Sequence, residues 1–242
     1  MSRPDLSVVF PVYNEEENLP VLLNEIRSAL ENHPWSWEVI AVDDGSGDAS
    51  LDVLKQLRRD YPMLRIVKLA RNSGQTAALE AGWAAASGRY VVSLDADLQN
   101  DPADIPSMLR QLEREKADMV IGVRVDRKDS LSKKIQSRIG NSVRDWITGD
   151  RITDTGCSLK LVRAESISRV QLFNGMHRFL PTLVRMDGGR VTEMPVNHRP
   201  RRFGQSKYGA MNRAVRGLAD CFAVRWMSSR KLRYEAEEVS PE

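Results

Sequence analysis

Two aspartates two positions apart, Asp95 and Asp97, follow the apolar run Tyr90–Leu94. Just past a buried strand, both carboxylates can turn toward one hard divalent cation, with diphosphate oxygens filling its remaining sites. The alternative is a pair of turn-forming and capping aspartates, since Asp101-Pro102 directly downstream opens a helix. Three more polar clusters follow apolar runs: Pro11-Val12-Tyr13-Asn14-Glu15, Asp43-Asp44-Gly45-Ser46 and Arg71-Asn72-Ser73-Gly74-Gln75. Asp44 could accept from a nucleobase N–H, and Tyr13 could stack on a base or ribose. Arg71, Asn72 and Gln75 offer donors to phosphate or ribose. An ordinary turn and a solvated loop cap are the bland counterparts.

Four polar clusters converge only if the intervening elements place them together. Leu6–Val12 reads as a strand, and Asn14 with the acids Glu15, Glu16 and Glu17 favours a helix start. Leu19, Leu22, Leu23, Ile26 and Leu30 then recur at helical spacing. The pattern repeats: strand Val39–Val42, a helix marked by Leu51, Leu54 and Leu57, strand Leu64–Leu69, and the Ala-rich helix Thr76–Ala86. Strand Tyr90–Leu94, helix Ala103–Glu115 and strand Met119–Val123 complete it. This alternation predicts an α/β fold with a mostly parallel sheet covered by helices on both faces, and ligands bound at the carboxyl ends of the strands. Trp35 and Trp37, just before the second strand, read as core.

The second half is less regular. A basic helical stretch over Ser130–Thr148 precedes a strand Ser158–Val162, helical periodicity in Met176–Val184 and a strand Arg190–Val196. The basic, Gly-punctuated run 201–209 predicts a mobile loop. An amphipathic helix at about Met211–Ser228 follows, with Met211, Val215, Leu218, Phe222 and Trp226 on one face. That face suits either a membrane surface or packing on the rest of the chain. An acidic tail, 231–242, is expected to be disordered.

Composition narrows the class. With 242 residues, 41% hydrophobic and 29% charged, the chain suits a compact domain and is too apolar for disorder. No run approaches the ~20 apolar residues of a membrane span, and the start MSRPDLSVVF has no signal-peptide pattern, so a cytosolic protein is expected. Cys157 and Cys221 lack framework or metal-ligand spacing and read as reduced. Residues 1–120 carry 12 Lys/Arg against 20 Asp/Glu, and residues 121–242 carry 24 against 13. An acidic half can hold a cation, and a basic half suits phosphate, an anionic membrane or nucleic acid; two solvated faces are the plain alternative. No G-x-G-x-x-G follows the first strand and no P-loop pattern occurs, which disfavours a dinucleotide oxidoreductase or P-loop NTPase. Three histidines support no Ser–His–Asp arrangement. The basic stretch has only Trp146 for stacking, so nucleic acid is not the expected partner.

Five motifs in order carry a resemblance: V-x-x-P-V-Y-N-E-E-E-N-L around 9–19, V-D-D-G-S at 42–46, A-R-N-S-G-Q at 70–75, S-L-D-A-D-L-Q-N-D-P at 93–102 and H-R-P-R-R-F-G-Q-S-K-Y at 198–208. Together they resemble the family 2 GT-A glycosyltransferases, in the branch of dolichyl-phosphate mannose synthases and bacterial polyprenyl-phosphate glycosyltransferases, over roughly residues 5–230. The resemblance implies a GT-A, Rossmann-like fold ending in a C-terminal amphipathic helix. Residues 1–123 would be a nucleotide-sugar and metal-binding half, 124–209 an acceptor-binding half of the same catalytic domain, and 210–230 the amphipathic helix. Pro11, Tyr13, Glu15, Asp44, Arg71, Gln75 and Asp95 would hold the nucleotide sugar; Asp95, Asp97 and Gln99 would surround Mg2+ or Mn2+. Arg124, Arg138 and Ser142 would receive an acceptor phosphate, with Arg202, Ser206 and Lys207 on a loop closing over it. Asp154 falls where related enzymes carry a catalytic acid, so Asp97, Asp154, Arg124 and Arg138 form the implied catalytic set.

The implied reaction moves a sugar, with inversion, from a nucleoside-diphosphate carrier to a polyprenyl (undecaprenyl or dolichyl) phosphate in cell-envelope glycan synthesis. Alternatives are transfer to a saccharide or protein hydroxyl, which would need Asp154 as a base, and a catalytically silent membrane-surface module. The chain stops where many bacterial relatives continue into two membrane-spanning helices. Peripheral attachment to the cytosolic face is therefore expected, with a separate membrane-spanning partner as one route to the acceptor.

Overall fold

The computed structural model describes residues 3–125, 140, 142–170, 173–201 and 210–232. A single sheet of seven strands runs through it in the order β3-β2-β1-β4-β6-β5-β7. The strands are β1 (Leu6–Val12), β2 (Trp37–Asp43), β3 (Leu64–Lys68), β4 (Tyr90–Ser93), β5 (Met119–Arg124), β6 (Lys160–Arg163) and β7 (Val191–Val196). Pairings β1/β2, β2/β3, β1/β4 and β5/β7 are parallel; β6 runs antiparallel to both neighbours, β4 and β5.

Strand periodicity divides the apolar residues between two cores. On β1, Leu6, Val8, Phe10 and Val12 join one core and Val9 the other; on β2, Val39 and Ala41 oppose Ile40 and Val42. Helices α1 (Leu19–Leu30), α2 (Ser50–Leu57) and α4 (Ile105–Arg114) cover the first core. Helices α3 (Gln75–Ala85), α6 (Ala164–Arg169), α7 (Leu180–Met186) and α8 (Ala210–Arg230) cover the second. A sheet buried on both faces requires nearly continuous apolar strands, which β1, β2 and β4 are. The expected mostly parallel sheet with helices on both faces is thus the fold observed.

Differences from the sequence-based expectation are local. Asn14 does not cap α1: it adopts a left-handed backbone (φ 55°), its Oδ1 accepts from Gly47 N at 2.7 Å, and α1 starts five residues later. Of the Leu51/Leu54/Leu57 stripe, Leu54 alone is fully buried. Trp37 opens β2 rather than preceding it, and both Trp35 and Trp37 pack against the first core. Helix α6 was not anticipated, and Met176–Val184 divides into a single 3-10 turn (Met176–Arg178) and α7. Of the basic stretch, residues 142–148 form a helix, α5. The loop 202–209 and the tail from 233 lie outside the described residues. No helix among the described residues is long and apolar enough to cross a membrane.

Close approach of α3 to the sheet depends on Gly82, where an added Cβ would run into Val9 Cγ1 and stand 3.0 Å from Val42 Cγ2. Gly82→Ala is expected to cost about 1–3 kcal/mol by overpacking. Thermal unfolding should show it as a Tm loss of roughly 2–12 °C for a chain of this size.

Candidate active site

The carboxyl ends of β1, β2 and β4 meet at one sheet edge, and the polar loops follow from them. Asp44, buried after β2, clamps the loop after β3: Oδ1 accepts from Ser73 N at 2.6 Å, and Oδ2 from Gly74 N at 2.9 Å and Asn72 Nδ2 at 3.2 Å. In this structure the Asp44 carboxylate takes these three donors of the chain itself. Gly45 makes the approach possible. At φ 68°, a Cβ there would stand 2.5 Å from Asn72 N. The β1 loop is tied to the same place, with Asn14 N donating to Ser46 Oγ at 3.1 Å and Glu15 N to Ser50 Oγ at 2.9 Å. Glu15 Oε2 accepts from Asn18 Nδ2 at 2.5 Å. Pro11 and Tyr13 are half-buried beside it, whereas Arg71 is exposed.

Gln75, the first residue of α3, reaches across to the β4 loop, Nε2 donating to Asp95 Oδ1 at 2.8 Å. Two residues on, Asp97 pairs with Arg201 Nη2 at 2.6 Å, and its Oδ1 accepts from Gln99 N at 3.2 Å. Leu98 between them is held at φ 61°, an uncommon conformation for a non-glycine residue, with its side chain fully buried. A turn locked in this way presents the two carboxylates in fixed positions. Burial raises the pKa of Asp95, offset by the Ser158 hydroxyl and by Lys160, Arg201 and Arg124. Burial, then the charge of Asp95, raises that of Asp97. The two carboxylates share this enclosed edge with the cations Arg201 and Lys160.

The basic side arrives through β6. Because β6 is antiparallel to β4, its first residue Lys160 pairs with Ser93 and brings the preceding segment 154–159 to the Asp95 edge. Arg124, at the end of β5, reaches the same edge, its Nε donating to Asp154 Oδ2 at 2.7 Å and its Nη2 to Asp154 Oδ1 at 2.8 Å. Both side chains of this fork are largely buried. A carboxylate gripped on both oxygens fixes the orientation of the guanidinium.

The structure thus joins Asp95 to Gln75, and Arg124 to Asp154. No hydrogen bond among the described residues ties the side chain of Ser142, exposed on α5, or of Arg71 to these groups. Arg138, Arg202, Ser206 and Lys207 lie outside the described residues. Three participants escaped the sequence analysis. Arg201 adjoins Arg202 in a quoted motif, and which arginine would reach Asp97 was not legible. Lys160 is buried at a strand position, its Nζ donating to the Cys157 carbonyl; a lysine among apolar strand residues was the available signal. Arg144 anchors α5, bonding Thr155 Oγ1 and the Ile152 carbonyl at 2.5 Å each.

A sheet of this order, with a carboxylate pair after β4 and an antiparallel strand beside it, defines a GT-A-type α/β domain. Residues 7–170 match glycosyl transferase family 2, and the chain belongs to that family. It is 44% identical over 236 residues to dodecaprenyl-phosphate galacturonate synthase of Rhizobium johnstonii, covering 96% of this chain and 68% of the relative. It is 39% identical over 207 residues to undecaprenyl-phosphate 4-deoxy-4-formamido-L-arabinose transferase of Salmonella choleraesuis, covering 85% and 63% respectively. The chain therefore spans about two thirds of the length of these curated relatives. Among solved structures, glucosyl-3-phosphoglycerate synthase of Mycobacterium tuberculosis with phosphoglyceric acid superposes with TM-score 0.69 at 19% identity, covering 91% of this chain and 81% of that one. A mannosyltransferase of Pyrobaculum calidifontis, in complex with GDP-Man and Mn2+, gives TM-score 0.61 at 21% identity, covering 82% and 57%. These structural likenesses establish the shared fold.

Proposed function

We propose that this chain transfers a sugar from a nucleoside-diphosphate donor to the phosphate of a polyprenyl phosphate, with inversion and with Mg2+ or Mn2+. The observation that carries this reading is the two-point grip of Arg124 on Asp154 beside the Asp95–Asp97 turn. A hydroxyl acceptor needs a base. A phosphate monoester, with a second pKa of about 6, is mostly dianionic at neutral pH and needs only to be held and aimed. Both curated relatives described above carry polyprenyl-phosphate acceptors in their names.

Asp95 and Asp97, with the Gln99 side chain, would hold the divalent cation, a set of oxygen donors that suits a hard ion. Such an ion supplies offsetting charge for the departing diphosphate. The loops around Tyr13, Glu15, Asp44, Arg71 and Gln75 would seat the nucleotide; Asp44 acts through the 72–74 backbone that it organises. Arg124, oriented by Asp154, would meet the acceptor phosphate, and Arg138, Ser142, Arg202, Ser206 and Lys207 would share that role, as their motif positions imply. An acceptor oxygen bonds to the anomeric carbon as the bond from that carbon to the diphosphate breaks. The nucleoside diphosphate leaves and the lipid-linked sugar phosphate remains. Because the acceptor is a lipid, the reaction is placed at the cytosolic surface of a membrane.

The direct test incubates the protein with Mg2+ or Mn2+, polyprenyl phosphate and a panel of nucleotide sugars, and identifies the lipid product by mass spectrometry. Release of nucleoside diphosphate with no sugar on the lipid would refute the acceptor assignment. Protonation supplies a second test. With both carboxylates raised in pKa, protons compete with the cation from a pH above the ordinary carboxylate range. Binding of the cation with no nucleotide present, followed by calorimetry, is expected to weaken as pH falls, because protons compete for the same carboxylates. A cation affinity that does not change with pH would place the cation elsewhere.

A further inference from the structure

Lys160 stands inside the site, yet the proposed reaction gives it no task. It opens β6 between Ser93 of β4 and Ile121 of β5 and is 6% exposed, while its neighbours Leu159, Leu161 and Val162 fill the two cores. An amine buried at a strand position carries a desolvation cost that an apolar side chain would avoid. The fold by itself therefore does not call for a lysine here.

Its contacts point to the turn 154–158 instead. Lys160 Nζ donates to the Cys157 carbonyl and reaches that of Thr155 at 3.5 Å, so one side chain spans two peptide groups of the turn. Cys157 N closes the turn on the Asp154 carbonyl at 3.3 Å. Each end of the turn meets a different half of the site. Asp154 takes Arg124 on both oxygens, at 2.7 and 2.8 Å. Ser158, at the other end, lies beside Asp95, and its Oγ donates to Asn100 Oδ1 at 2.6 Å, the same atom that Asp95 N reaches at 3.5 Å. Asp95, Asp154 and Arg124 all act on the charge of Lys160. Gly156, in the middle, leaves no slack: a Cβ there would stand 2.9 Å from Arg124 Nη2. A shift of the turn is thus a shift of the guanidinium.

We propose that Lys160 is a positioning residue, which fixes the turn 154–158 through the Thr155 and Cys157 carbonyls and so sets the distance between the Asp95 carboxylate and the Arg124 guanidinium. This rests on the proposed function and deepens it, because that distance matters where a sugar donor held at Asp95 must meet a phosphate held at Arg124. Alignment of two bound reactants acts on kcat, and a misplacement of about 1 Å can cost on the order of a hundredfold.

Lys160→Met keeps the apolar stem and removes the amine. With both substrates saturating, its kcat for transfer to polyprenyl phosphate is expected to fall at least about tenfold, and Lys160→Arg, which keeps N–H groups for the same carbonyls, should restore part of the loss. A second readout needs no turnover. The Nε–H resonance of Arg124, assigned by its absence from Arg124→Lys, should shift and exchange faster with water in Lys160→Met, and return toward wild type in Lys160→Arg. Should Lys160→Met fail to fold, Lys160→Gln, one atom shorter and still polar, carries both measurements. Unfolding of both variants overturns the proposal, since Lys160 would then serve the fold alone. So does a wild-type kcat in the folded variant, a loss confined to the KM of either substrate, or an unchanged Arg124 resonance. If wild type transfers no sugar, the proposed function fails, while the Arg124 resonance still decides whether Lys160 holds the turn.

Discussion

Asp97→Asn is expected to reduce sugar transfer by about a hundredfold or more while leaving the fold intact, and Asp95→Asn to do the same. The expectation rests on charge stabilisation aimed at the leaving diphosphate, the kind of interaction whose loss has the largest kinetic effect. Either substitution keeps the shape of the side chain and removes half of the carboxylate pair. Stability should move the other way. Burial and the neighbouring Asp95 raise the folded-state pKa of Asp97. A carboxylate raised in the folded state contributes stability below its unfolded pKa and loses it as pH rises through the folded value. At neutral pH the ionised form is therefore a burden that asparagine removes, set against the lost pair with Arg201 at 2.6 Å. Circular dichroism and thermal unfolding should report a folded variant, and mass spectrometry a missing lipid product. Wild-type rates from both variants in the presence of chelator would remove the cation from this turn.

Arg124→Ala should lower transfer to polyprenyl phosphate by roughly ten- to a hundredfold, since charged hydrogen bonds in a partly dehydrated site are worth about 1.5–3 kcal/mol each. The loss should fall on the lipid KM or on kcat, with nucleotide-sugar affinity little changed. Removing Arg124 also leaves Asp154 buried without its partner, and breaking a buried pair can cost about 3–5 kcal/mol of stability. Two further variants separate these effects. Arg124→Lys keeps the charge without the planar fork and should restore part of the activity. Asp154→Asn keeps one acceptor oxygen for the guanidinium and takes away any base. With phosphate as nucleophile, Asp154→Asn should hurt less than Arg124→Ala; with a hydroxyl as nucleophile it should hurt more. Assaying all three with polyprenyl phosphate and with a soluble saccharide acceptor decides the acceptor class. Arg124 variants that keep full transfer to the lipid phosphate would overturn the assignment of the basic half.

What could be read from the sequence alone was whatever local chemistry dictates. Apolar runs such as Leu6–Val12 and Tyr90–Leu94 have strand length, Leu19 through Leu30 repeat at helical spacing, and the polar clusters after them mark loops at one edge. Each depends on residues within a few positions of one another, and each expected strand was found within two or three residues of its reading. Asp95, Gln75 and Asp44 were legible as site candidates for the same reason. Sheet order is a different matter. Nothing near Lys160 states that β6 enters antiparallel between β4 and β5, yet that pairing of Ser93 with Lys160 brings Asp154 to Arg124. Arg201 meets Asp97 across 104 positions, and Gln75 meets Asp95 across 20. On α8, one amphipathic pattern offered two apolar faces, and only packing against α6 and α7 decided that Val224 would be buried and Trp226 left outside. Period and turn chemistry are short-range properties of the chain. Partners across a sheet are selected by burying apolar area and pairing charge once the whole domain has closed, a choice that no local stretch encodes.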